Sequence, residues 1–241
     1  MDTRRFFCHC LLALLFSTLL CAQEATVTAS VALSRQGKKG KAQNASDVVV
    51  WLTPLEGSAP RAEPAPNSQS RPRLVQHNKS FEPHVLVIPV GSAVEFPNHD
   101  PFFHNVFSLF DGKRFDLGLY EAGSTRDVVF DKPGISYIFC NIHAEMSAVV
   151  IAVNTPYYGI SDSKGQIVIA HVPPGRYLSH VWYEAAMPDT LNSFTREVTI
   201  SESNQTLGML HLPASRHETE HKNMYGRDYA PPAPGSPAYQ R

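Results

Sequence analysis

The stretch YIFCNIHAEMSAVV, residues 137–150, spaces a cysteine, a histidine and a methionine three residues apart between two apolar runs. Both runs are too short for helices and alternate as strands do. Cys140, His143 and Met146 therefore fall in a strand-to-strand loop, where three side chains can converge on one point. Thiolate, imidazole and thioether together are soft donors. With a second histidine from elsewhere they would make the two-His, one-Cys set with a weak axial Met that suits copper. Zinc fits less well, because structural zinc sites take four N or S donors and not a thioether.

The isolation of Cys140 sharpens the question. The chain has 241 residues and four cysteines, three of which (Cys8, Cys10 and Cys21) lie in the first 22 residues. There Arg4 and Arg5 precede an apolar run, 11–20, too short to span a bilayer. Residues 1–22 are expected to be a signal peptide cleaved after Ala22, with a retained anchor as the alternative. The mature protein would then be periplasmic or secreted, with no membrane insertion once the signal is removed. Exported domains normally pair their cysteines. An unpaired one is a buried thiol, a ligand or a nucleophile. Hydrophobic content of 43% and a net charge of -1 describe a globular chain with no basic excess for nucleic acid.

Strands are expected at 27–33, 48–52, 85–90, 94–96, 127–130, 135–139, 148–153, 166–170, 177–183 and 196–200. Short turns separate them, and no apolar period of helical length appears, so the fold class is all-β. Residues 57–73 read as a linker rich in Pro, Ser and Ala, and 214–241 as a disordered tail. The tail carries His217, His221 and Met224, which could touch a metal; solvation is the favoured reading.

The second histidine comes from FEPHVLVIPVGSAVEFPNHDPFFHNVFS, residues 81–108. Phe81, Pro83, Leu86, Ile88, Pro89, Gly91, Val94, Phe96 and Asn98 are followed in register by His104, Asn105 and Val106. Downstream, Gly134 stands six residues before Cys140. Over 74–153 the chain resembles the cupredoxins, the plastocyanin and amicyanin family, whose fold is a Greek-key β-sandwich. The resemblance implies one type 1 copper ion held by His104, Cys140 and His143, with Met146 axial. It also implies that the backbone N–H of Asn105 donates to the cysteine sulfur. The Cys-to-His and His-to-Met spacings match the short loop of amicyanin. Two departures stand out: the aromatic after Gly134 is shifted to Tyr137, and Glu145 beside Met146 is an alternative oxygen donor. His99 is expected to be a loop histidine, His77 and His84 surface histidines, and His171, His180 and His211 show no metal spacing. Phe102 and Phe103 are expected to pack around the site, an exposed aromatic there being a possible docking patch.

A site of this kind has no open coordination position, so substrate chemistry is disfavoured and no enzyme is expected. Paired H-x-H motifs, G-x-S-x-G and phosphate loops are absent, and the one H-E-x-x-H match, 217–221, falls in the expected tail. The expected function is an exported blue copper protein passing single electrons between a redox donor and acceptor that the sequence does not name. The alternatives are copper delivery, storage or sensing, and an interaction module that copper merely stabilises.

SDSKGQIVIAHVPPGRYLSHVWYE, residues 161–184, resembles carboxypeptidase regulatory-like, prealbumin-type sandwiches through Asp162, Gly165, Ile167, Ile169, Pro173, Pro174, Gly175 and Tyr177. Such domains need two earlier strands, and none fit directly after Val153. Strands at 27–33 and 47–52 would supply them. The expected arrangement is a discontinuous sandwich, 24–56 with 154–213, interrupted by the cupredoxin block. The competing one pairs the leading strands with the cupredoxin sheet.

Overall fold

The computed structural model describes residues 24–34, 44–57, 71–109, 111–213 and 222–229. The expected signal peptide, most of the linker, and His217 and His221 lie outside the described residues. Within them the chain is all-β apart from one short helix.

The central segment forms a five-stranded sheet facing two hairpin-like pairs. The sheet runs β5 (Val85–Pro89), β11 (Ser147–Val153), β10 (Gly134–Phe139), β7 (His104–Ser108), β8 (Phe115–Tyr120). Opposite it lie β6 (Ala93–Pro97) with β9 (Thr125–Val129), and β3 (Val75–His77) with β4 (Ser80–Glu82). Alternating residues bury one face of each: Ile138, Cys140, Ala148 and Val150 meet Phe81, Val94, Phe96 and Phe130.

The flanking segments interleave. β1 (Ala25–Ser34) lies between β13 (Gln166–Val172) and β16 (Gln205–Pro213). A second sheet runs β12 (Tyr158–Ile160), β2 (Val49–Pro54), β14 (Gly175–Trp182), β15 (Arg196–Ile200). Thus β2 pairs with two strands that follow Asn154, and none of the described strands of the central sheet pairs with β1 or β2. Between the two flanking sheets, Val27, Ala29, Val50, Leu52, Ile167, Ile169, Tyr177 and Leu212 are buried. Gly165 closes the turn before β13 at φ +77; a Cβ there would meet the carbonyl oxygen of Val31 at 2.6 Å.

A third core joins the two sandwiches. Val49 and Trp182 of the four-stranded sheet bury against Val85, Val87, Val149, Ile151 and Val153 of the five-stranded one. Strand β2 therefore reads as a continuous apolar run, VVWL, because it is covered on both faces.

Strands β8 and β16 went unrecognised in the sequence for a shared reason. Each carries an interior glycine at positive φ, Gly118 (+65) and Gly208 (+88), at a shift in pairing register. The helix α1 (Pro188–Phe194) is seven residues, too short to show an apolar period; Pro188 and Asp189 open it favourably. The tail expectation needs correcting for 222–229, which form a turn bonded to the central sandwich.

Candidate metal centre

Strand β7 begins with His104, and the loop from β10 to β11 carries the other candidates. That loop is tight: the Cys140 N–H donates to the Met146 carbonyl (3.2 Å) and the Met146 N–H to the His143 carbonyl (3.1 Å). The ligand-capable atoms of His104, Cys140 and His143 all lie within 4.8 Å of one another, and all three residues are buried. The Cys140 sulfur is 3.8 Å from His104 Nδ1 and 3.5 Å from His143 Nδ1. The imidazoles meet edge to face, centroids 4.9 Å apart. Phe102, half-buried, packs against both rings at 5.2 and 5.6 Å. Its neighbour Phe103 is 56% exposed. Met146 is fully buried in the same core as Cys140, whereas Glu145 is exposed, so the thioether is the better placed of the two axial candidates.

Burial pushes the Cys140 thiol up, with the Glu145 charge adding to it; the backbone N–H groups of Asn105, Ile142 and His143 oppose this by donating toward the sulfur. The Asn105 contact is the one the family resemblance implied.

Asp100 was not singled out in the sequence. It is 4% exposed, and its carboxylate accepts from His104 Nε2 (2.8 Å), Asn78 N–H (2.7 Å) and Lys79 N–H (3.0 Å). Asn78 and Lys79 both adopt left-handed φ, 53° and 55°, in the two-residue turn joining β3 to β4. Burial works against the charged carboxylate, but the donors prevail and hold Asp100 below the usual carboxylate range. Burial likewise lowers His104, partly offset by Asp100. The bond to Asp100 holds the proton on Nε2 and leaves Nδ1 facing the sulfur. Asn98 shapes the loop between them, donating to the Phe102 carbonyl (2.8 Å) and accepting the Asp100 N–H (3.0 Å).

Sequence signals for these partners existed. A short acid sits four residues before His104, and an Asn-Lys pair marks a turn between two short alternating runs. Tyr229 and Asn141 were missed too: the Tyr229 hydroxyl donates to the Cys140 carbonyl (2.7 Å), and Asn141 Oδ1 accepts the Met224 N–H (2.9 Å). Of the other histidines, His99, His77, His171 and His211 are exposed and His180 stacks on Trp51. His84 bridges the sandwiches through Glu184, at 2.6 Å.

No family model and no curated protein matches the chain. Among solved structures, a purple cupredoxin from Nitrosopumilus maritimus is 23% identical, the match covering 34% of this chain and 99% of that one at a TM-score of 0.31. An oxidised amicyanin variant is 15% identical, covering 40% of this chain and 100% of that one at 0.34. A copper-containing nitrite reductase from Thermus scotoductus SA-01 is 27% identical, covering 42% of this chain but 25% of that one at 0.34. Each of these matches covers less than half of this chain.

Proposed function

We propose that the central segment, 74–153, is a cupredoxin domain binding one type 1 copper ion, and that the protein carries single electrons between redox partners. The observation that carries this reading is the convergence of His104 Nδ1, Cys140 Sγ and His143 Nδ1 in one buried site. The donor set fits copper: one thiolate and two imidazoles, with the buried Met146 thioether on the same loop. Copper supplies one-electron redox chemistry when bound. The protein's own part is to keep the donors in one arrangement. The Cys140–Met146 and Met146–His143 backbone bonds lock the loop, Asp100 orients His104, and Phe102 fills the space beside both rings. Fixed donors that suit both oxidation states keep reorganisation small. Complete burial of the ligand residues favours an ion that stays over one handed on.

The flanking sandwich, 24–56 with 154–213, is read as a carboxypeptidase regulatory-like domain interrupted by the cupredoxin. The protein is read as exported, with redox proteins as donor and acceptor and no reaction of its own. Among the described residues no helix is long and apolar enough to cross a membrane. The test is the visible spectrum of the copper-titrated protein. An intense blue or purple thiolate-to-copper band, retained through redox cycling, is expected; a colourless copper complex overturns the proposal.

A further inference from the structure

The stretch 222–229 is held in shape by its own asparagine. Asn223 Oδ1 accepts the N–H groups of Tyr225 (2.9 Å) and Arg227 (3.1 Å), and the Asn223 N–H donates to the Arg227 carbonyl (2.9 Å). Gly226, at φ +72, returns its N–H to the Asn223 carbonyl (2.9 Å), and Lys222 pairs with Asp228. From this turn two bonds cross to the loop that holds the candidate ligands. The Met224 N–H reaches Asn141 Oδ1 at 2.9 Å, and the Tyr229 hydroxyl reaches the Cys140 carbonyl at 2.7 Å. They grip consecutive residues. The Cys140 N–H is already committed to Met146, so with Tyr229 in place both backbone polar groups of the cysteine are held.

We propose that residues 222–229 are a strap that fastens the metal loop, with Tyr229 as a positioning residue for Cys140. The proposal rests on the reading of 140–146 as the metal loop. The strap comes from the chain beyond β16, the last described strand of the flanking sandwich, and closes on a loop of the central one. Its effect is to lower the frequency with which the loop opens, and so to slow access to the sulfur and exchange of the ion.

The test compares the native chain, Tyr229→Phe, Asn141→Ala and a chain ending at Pro213. In metal-free protein, Cys140 is alkylated with iodoacetamide and followed by mass spectrometry of its own peptide, which keeps the three N-terminal cysteines out of the measurement. Loss of one hydrogen bond of ordinary net strength raises the open fraction about fivefold. Tyr229→Phe and Asn141→Ala should each label about that much faster, and the shortened chain faster still. In copper-loaded protein the same variants should release the ion faster to a chelator. Labelling at the native rate in both Tyr229→Phe and the shortened chain overturns the strap. If the shortened chain does not fold, the Tyr229→Phe and Asn141→Ala rates decide. A protein that takes up no copper refutes the metal reading, while the labelling rates still decide the strap.

Discussion

His104 Nε2 donates to Asp100 Oδ2 at 2.8 Å, and the same carboxylate fastens the turn at Asn78 and Lys79. One buried acid thus ties the His104 ring to a hairpin from the opposite layer. Asp100→Asn keeps the size but removes the charge that holds the ring's proton. Copper affinity, read by competition with a chelator, should fall by about 10–100-fold, and the reduction potential should rise because a nearby anion is lost. Asp100→Ala should also destabilise the fold, since two backbone donors lose their acceptor. Native affinity in Asp100→Asn would show that the ring needs no such partner.

Cys140→Ser should abolish the coloured band and most of the affinity, since a hydroxyl is neither soft nor readily ionised. The fold should survive, because the replacement is smaller and its neighbours include N–H donors. Absorption and circular dichroism on the same sample check both halves.

At the axial position, Met146→Leu should retain copper and raise the reduction potential, because a donor that steadies the oxidised ion is gone. Met146→Gln should lower it. Voltammetry of the two variants checks this; an unmoved potential in both would reduce Met146 to packing.

Trp182 is 3% exposed in the core between the sandwiches. Trp182→Ala should cost about 3–5 kcal/mol in denaturant unfolding. For the same reason the isolated segment 74–153 should be poorly soluble, since it would bare Val85, Val87, Val149, Ile151 and Val153 on one sheet face. A soluble, monomeric, coloured fragment would contradict this.

The His84–Glu184 contact gives a pH dependence. The Glu184 carboxylate raises the imidazole against the opposing effect of burial, with Asp47 and the Ser147 carbonyl adding to the rise. A raised histidine stabilises fully below its unfolded value of 6.5, and that share is lost as pH rises through the folded value. Glu184→Gln should therefore melt below the native protein between about pH 5 and 6.5, and the gap should close at higher pH. Both side chains are more than a third exposed, so the gap should also shrink in salt.

Much of the centre was legible because its chemistry is compressed into short spacings. Cys140, His143 and Met146 announce themselves within seven residues, and His104 follows a run of apolar positions with strand periodicity. The flanking pairing was legible for a different reason: a strand pair was missing after Val153, and an unused one preceded it. What escaped depends on contacts that no spacing encodes. Asp100 acts through a hairpin 21 residues upstream, and Tyr229 reaches Cys140 from 89 residues away. A tyrosine in a polar, proline-rich tail reads as solvated until its hydroxyl is seen to have a buried carbonyl to meet. Strands β8 and β16 were hidden by their glycines.

The interleaving of β1 and β2 with strands from the far end of the chain imposes an order on biosynthesis. Thr28 bonds to Gln205, 177 residues later, so the first strand emerges from the ribosome long before its neighbour exists. The central sandwich, by contrast, is complete once Val153 has been made. Its strands can pair while β1 and β2 wait, with the sheet face that Trp182 later covers still bare. The waiting pair is the stretch most open to mispairing, and slower translation after Val153 would lengthen that exposure.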